Sequence, residues 1–423
     1  MLSRLKGSDF IKNTAKLATG TTIAQVIVIL TAPITYRIYS KEAYGTLGLY
    51  MAITGVLGVF STLQYTQTVM LEKEDNSAKN ALWLNRIINI AFSLFTAILV
   101  LVFSSFVDGW FNNPMIKPFL WMIPISIFFS GQNEILRVLA NRLKQYNILT
   151  VNKVITALLV PAFSIGIGYY HNNSPIGLFI GLLISQIVPA LYLTLRLRNK
   201  YDLSYRNADI ESIKALAIEN KKFPIFSLPS EFVNRFTAQL PVFVLSSVSG
   251  PAIVGVYGLC NRMLGLPVQF IGNAISTVYQ QKSTQLVHSS GNCRMLFVST
   301  SKTLALITLI PTIVLFIFGP ELFSFAFGAK WNEAGEFARI FIVMFSLQLV
   351  VSPLTYIFLI RKKLEEDFIY HLGILGSILF SYFVVIKIYD THLALISHAV
   401  LYSAWYIVYF VRSYQLSNNQ DKP

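Results

Sequence analysis

The residues able to do chemistry in this chain stand where charge interrupts apolar sequence. Between Lys221 and Gln285 two apolar spans each carry an arginine, and a charge inside a bilayer costs a few kcal/mol or more unless it faces a polar interior. Glu231, Arg235 and Gln239 recur at steps of four with Asn234 adjoining, so they share one helical face, while Phe232, Phe236, Leu240 and Phe243 mark the other. Arg262, Gln269, Asn273, Thr277 and Gln280 follow at steps of seven, four, four and three. A guanidinium suits an anion such as a diphosphate, and carboxamides suit the hydroxyls of a sugar. The same residues can also staple membrane helices together through ion pairs and hydrogen bonds.

The first half echoes this more weakly. Thr21, Gln25, Ala32 and Thr35 form a narrow small-polar stripe, and Gln64 and Gln67 close the second span. Ser126, Ser130, Asn133, Arg137 and Asn141 line one face, with Glu134 beside the arginine. Arg137 lies near a span end, where snorkelling to the interface is an equal explanation. The candidate substrate-binding residues are Arg235, Arg262, Glu231, Asn234, Gln239, Gln269, Asn273, Gln25, Gln64, Asn133 and Arg137. His371 and His398 are either proton sites or hydrogen-bonding partners. No catalytic set, metal-ligand spacing or cofactor motif is visible, and neither an enzyme nor a cofactor is expected.

The elements that position these residues are membrane spans. Of 423 residues 54% are hydrophobic and 13% charged, against about 25% charged in soluble domains, and mean hydropathy is +0.57. The net charge of +14 falls between apolar runs and forms no continuous basic face, which argues against nucleic acid. Cys260 and Cys293 have no second pair. Trp83, Trp110, Trp121 and Trp331 lie near span ends, as an interfacial aromatic belt would place them.

About twelve runs are long enough to span, at approximately 18–39, 44–70, 83–107, 117–139, 148–170, 176–195, 224–248, 252–280, 301–327, 337–360, 368–388 and 392–412. The first lacks a cleavage site and reads as an uncleaved helix. With the N-terminus inside, about 24 basic residues fall on the cytoplasmic side, among them Arg4, Lys6, Lys12, Lys16, Lys153, Arg206 and Lys422, and about six fall outside. Both termini are therefore expected in the cytoplasm. The one long connection, Arg196 to Lys222, is polar, and Asp209, Glu211, Lys214 and Glu219 suit a short amphipathic helix along the membrane surface. It divides the chain into a six-helix lobe at 1–200, a connection at 201–222 and a second six-helix lobe at 223–423. AYGTLGL at 43–49 and IVGVYGL at 253–259 echo one another, as halves of a repeat-built transporter do.

The run PITYRIYSKEAYGTLGLYMAI resembles the first inter-helix turn of Wzx-type polysaccharide (O-antigen unit) flippases of the MOP superfamily, which also holds MATE exporters and lipid II flippases. KKFPIFSLPSEFVNRFTAQLPVFVLS with GVYGLCNRMLGLPVQFIGNAIS, and FGPELFSFAFGAKWNEAGEFARI with VVSPLTYIFLI, agree; GAKWNEAG at 328–335 is the most specific segment. The chain departs from its relatives at Gln64, Tyr65 and Thr66, where they often carry Arg-Tyr-Glu. The resemblance implies an all-α integral membrane protein, about twelve helices in two six-helix bundles forming a V around a central cavity. It implies flipping of an undecaprenyl-diphosphate-linked oligosaccharide, an O-antigen or related surface polysaccharide unit, across the bacterial inner membrane by alternating access. Pro33, Pro241 and Pro267 are the expected bends. Implied partners are the lipid bilayer and the polysaccharide polymerase and chain-length machinery. The rival reading is a MATE-like cation-coupled exporter of small organic molecules, which needs buried carboxylates.

Overall fold

The computed structural model describes residues 2–170, 174–203 and 209–418, with backbone alone for 2–18 and Asp108. Arg206 and Lys422, and the side chains of Arg4, Lys6, Lys12 and Lys16, lie outside the described residues. Every regular element described is helical: α1 (Leu2–Ile38), α2 (Lys41–Gly58), α3 (Asp75–Trp110), α4 (Met122–Arg142), α5 (Tyr146–Tyr170), α6 (Ile176–Leu197), α7 (Ile210–Glu219), α8 (Leu228–Ser290), α9 (Arg294–Phe327), α10 (Asn332–Val351), α11 (Leu364–Leu379) and α12 (Thr391–Asn418), joined by short 3-10 and π turns and by short α-helical turns at Thr68–Leu71, Tyr356–Ile360 and Ile386–Ile388. Among the described residues, ten helical stretches are long and apolar enough to cross a membrane. The chain is a multi-pass membrane protein.

That ten relates to the twelve expected spans through two physical details. As a straight rod the 63 residues of α8 would reach about 95 Å, three times a bilayer's apolar thickness. The helix breaks at Gly250, where φ is 79° and ψ 179°, a region glycine enters without steric cost. The backbone stays helical through Pro241 and Pro267, so in this stretch the departure belongs to glycine. The second detail is α4, whose polar stripe of Ser126, Ser130, Asn133, Glu134 and Arg137 keeps it out of the ten. Among the described residues, a division at Gly250 makes eleven apolar segments of the ten stretches, and α4 is a further, more polar helix of 21 residues.

The second expected span, 44–70, is not one helix. α2 ends at Gly58, and two 3-10 turns follow around Leu63 and Gln64, both at positive φ (48° and 64°). Asn85 holds this turn by donating from Nδ2 to the carbonyls of Tyr65 (3.0 Å) and Ala81 (2.8 Å).

The chain divides into two compact units, 1–239 with 246–252, and 240–245 with 253–423. In the first, the Tyr39 hydroxyl donates to the Ser164 carbonyl at 2.6 Å, and Gly168 and Gly177 leave the space that its ring tip fills. Phe119 stacks on Phe179 with centroids 3.7 Å apart. Asp209 caps α7, accepting from the Ser212 backbone N–H (2.9 Å) and hydroxyl (2.7 Å), bonds that hold its carboxyl below the usual range. Ile213 and Leu216 of α7 bury against Tyr65, Leu82 and Leu139, while Ile210 and Ile218 stay exposed. Lys79 pairs with Asp202, and Tyr201 donates to the Asp75 carbonyl at 2.7 Å, tying the start of the connection to α3.

In the second unit α9 and α10 touch backbone to backbone at Gly319 and Gly335. Trp331 is fully buried there, 0% exposed, so it is a core residue and not an interfacial anchor. Trp110 and Trp121 are exposed, at 59% and 50%. His398 is buried among Phe341, Tyr382 and Tyr402, with its Nδ1 3.1 Å from the Tyr382 hydroxyl. Cys260 and Cys293 are buried free thiols.

Candidate functional site: a polar cavity in the first unit

A cavity of about 590 Å³ opens within the first unit. Five stretches build it: the end of α2, the irregular turn at 59–67, α4, α6 and the start of α8. The turn contributes most of the polarity because it is not a helix. Ser61, Thr62, Gln64, Thr66 and Gln67 all face the cavity, which a 3.6-residue repeat could not arrange for such closely spaced positions. Gly55 and Gly58 leave its α2 wall open, with no atom within 4 Å of where a side chain would begin. Ser126, Ser130 and Glu134 come from α4, and Gln186 from α6.

Charge enters from two helices. Arg235 donates from Nε to Glu231 Oε1 at 2.7 Å, and both side chains line the cavity, 60% and 35% exposed. On α4, Glu134 faces the cavity and accepts from Arg137 at 3.4 Å, a long contact. Among the described residues no group of three or more His, Cys, Asp or Glu could hold a metal ion. The cavity therefore offers one guanidinium, two carboxylates and a ring of hydroxyls and carboxamides. It can take an anion if Arg235 leaves Glu231, and a polyhydroxyl group in either case.

Of the sequence-derived candidates, Arg235, Glu231 and Gln64 meet here. Asn133 and Arg137 stand beside the cavity on α4 without lining it: Asn133 donates from Nδ2 to the Gln186 carbonyl at 2.8 Å, tying α4 to α6. Asn234 is exposed and Gln239 half-buried, both off the cavity wall. Gln25 is half-buried on α1, its Oε1 enclosed without a partner. Arg262, Gln269 and Asn273 belong to the second unit, where all three are exposed. An apolar cleft of about 110 Å³ in that unit is lined by Met263, Pro267, Ile307, Pro311 and Phe345 among others.

Sequence reasoning missed Thr54, Ser61, Thr62 and Gln186. The polar run STLQYTQT at 61–68 carried the signal for two of them, Ser61 and Thr62, since side chains of this type compete with helical hydrogen bonding. Gln186 is a single polar residue in an apolar span and had no pattern to reveal it.

Residues 34–336 match a family described as "Polysaccharide biosynthesis protein". The chain is 19% identical over 254 residues to the amylovoran biosynthesis protein AmsL of Erwinia amylovora, covering 59% of this chain and 63% of that protein. It is 22% identical over 320 residues to the succinoglycan biosynthesis transport protein ExoT of Rhizobium meliloti (strain 1021), covering 72% and 60%. It thus spans less than two thirds of the length of these curated relatives. Among solved structures, an inward-facing multidrug resistance MATE family transporter of the MOP superfamily superposes with a TM-score of 0.71 at 14% identity, covering 91% of this chain and 93% of that one. The lipid II flippase MurJ in an inward closed conformation gives 0.72 at 14%, covering 95% and 89%. At such identity these two share the fold with this chain.

Proposed function

We propose a function from one premise: the chain belongs to the polysaccharide biosynthesis protein family. It is a flippase that moves an undecaprenyl-diphosphate-linked oligosaccharide, the repeat unit of O-antigen or a related surface polysaccharide, from the cytoplasmic to the periplasmic leaflet by alternating access. Both termini lie in the cytoplasm and the membrane is the bacterial inner membrane, as the basic loops favour. The protein is a transporter and not an enzyme, and it hands its cargo to a polymerase and chain-length machinery. The relatives' own names point the same way: one is an amylovoran biosynthesis protein, one a succinoglycan biosynthesis transport protein, and one structural neighbour a lipid II flippase.

The observation that carries this reading is Arg235 as the guanidinium of a cavity whose other polar groups are hydroxyls, carboxamides and the carboxylates of Glu134 and Glu231. A diphosphate carries about two negative charges and accepts several hydrogen bonds at once, so it outcompetes the single Glu231 carboxylate for the guanidinium. Gln64 and the neighbouring hydroxyls then meet the glycan, and the apolar tail stays in lipid. Arg262, Gln269, Asn273, Asn234, Gln239, Gln25, Asn133 and Arg137 serve the same cargo at other points of its path. One observation favours a second reading, a cation-coupled exporter of small organic molecules: Glu134 and Glu231 put two carboxylates on the same cavity.

Deleting the gene in its host separates the two. The flippase predicts lipid-linked repeat units accumulating on the cytoplasmic side while surface polysaccharide disappears, both reversed by a plasmid copy. Normal surface glycan with new drug sensitivity would establish the exporter instead.

A further inference from the structure

Lys153 was counted among the basic residues of the cytoplasmic side, but it sits inside the fifth apolar span. It is the eighth residue of α5, about 10 Å from the helix start at about 1.5 Å per residue. Its ammonium reaches α1 two residues inside the first apolar stretch, Thr19–Ile38, where Nζ donates to the Thr21 hydroxyl at 2.8 Å. The backbones approach closely there, since a side chain added at Gly20 would meet Thr150 at 2.6 Å. Among the described residues no carboxylate lies within ion-pair range of Lys153, and its charged neighbour is a second cation, Arg137 of α4.

Arg137 precedes the end of α4 by five residues, about 7.5 Å. α4 and α5 are joined by the short turn at 143–145, so the two cations stand at similar depth below one membrane edge. Glu134 offsets them by one charge, across 3.4 Å. Two cations and the one carboxylate already paired with Arg137 leave a net positive charge, that of Lys153, inside an apolar span, which is costly unless an anion completes it. One turn deeper, Glu134 already faces the cavity that holds Arg235.

We propose that Lys153 and Arg137, with the Thr21 hydroxyl, form a docking station for the diphosphate of a polyprenyl-linked cargo, engaged before the head group reaches Arg235. The proposal rests on the flippase reading and adds to it the order in which cations meet the phosphates. Lys153 swings from the Thr21 hydroxyl, which accepts from it at rest, to a phosphate oxygen.

The test uses the full chain in nanodiscs of zwitterionic lipid, titrated with undecaprenyl diphosphate and undecaprenyl monophosphate by native mass spectrometry. The expected result is a roughly tenfold weaker diphosphate Kd in Lys153→Met, with less than threefold change in Lys153→Arg and little change for the monophosphate. Diphosphate binding by Lys153→Met equal to wild type would overturn the proposal and leave the flippase reading standing. Failure of the wild type to bind either lipid would sink both. Repeated in discs containing phosphatidylglycerol, a Lys153→Met defect that appears there and not in the zwitterionic discs would identify an ordinary phospholipid headgroup and overturn it also. A second measurement needs no variant: amine acylation of Lys153 in the wild type, read by peptide mass spectrometry, should fall on adding the diphosphate lipid, and unchanged labelling would refute the station.

Discussion

Arg235 and Glu231 lie one helical turn apart on α8 and share a hydrogen bond of 2.7 Å at the wall of a polar cavity. A pair this exposed contributes little to folding, about 0.5 kcal/mol or less; under the proposed function, Glu231 holds the guanidinium in place until a stronger anion arrives. Arg235→Ala should abolish surface polysaccharide while leaving membrane levels and thermal stability near wild type, read by immunoblot and fluorescence-detected unfolding. Glu231→Gln frees the arginine and should keep more transport than Arg235→Ala. Wild-type transport in Arg235→Ala would remove the residue from the path.

A different pair makes a prediction about stability. A Cβ on Gly335 would stand 2.4 Å from the Gly319 carbonyl oxygen and 2.4 Å from the Pro320 Cα. Both are backbone atoms, so neither can yield without moving α9 against α10. Gly335→Ala should destabilise the protein by about 1–3 kcal/mol, lowering its unfolding temperature in detergent. Gly376 of α11 has nothing within 4 Å of its added Cβ, so Gly376→Ala should be neutral or stabilising by up to about 1 kcal/mol through helix propensity. The opposite signs separate a packing requirement from a general intolerance of alanine.

His398 makes a third. It is 4% exposed, and its Nδ1 lies 3.1 Å from the Tyr382 hydroxyl. Tyr382→Phe removes that partner and leaves a buried ring nitrogen unpaired, at a cost of about 1–3 kcal/mol. The check is thermal unfolding of the purified variant, with Tyr389→Phe, an exposed site, as the comparison. Equal stability of the two would show that the Tyr382 bond carries nothing.

What the sequence disclosed follows from how far each signal reaches. Apolar runs of bilayer length are local, so the membrane class was legible, and so was the division near Gly250, where Gly-Pro interrupts an apolar run. The Glu231–Arg235 pairing was legible because a four-residue step fixes a shared face within one helix. The turn at 59–67 was not read, since positive φ at Leu63 and Gln64 depends on Asn85 holding it from another helix. Lys153 and Trp331 were assigned by sequence distance from span ends, whereas their surroundings come from α1 in one case and from the packed second unit in the other. Each miss involves a residue whose environment is supplied by a distant segment.

The connection after α6 makes the last prediction, through the cavity turn. Tyr65, next to Gln64, donates its hydroxyl proton to the Ala217 carbonyl of α7 at 2.9 Å, across 152 positions of sequence. The same turn therefore presents polar groups to the cavity on one side and holds α7 on the other, alongside the buried Ile213 and Leu216. Tyr65→Phe keeps the ring in its cluster and deletes the bond, about 1 kcal/mol. Because α7 is short and half exposed, that loss should appear as local opening and not as global unfolding. Amide exchange across 210–219 should accelerate about fivefold, the factor that about 1 kcal/mol implies, while exchange in α5 and α6 stays unchanged. Transport should fall as well if the turn's position depends on α7. Accelerated exchange with full transport would show that α7 steadies the connection without shaping the cavity, and unchanged exchange would show that its apolar face alone holds it down.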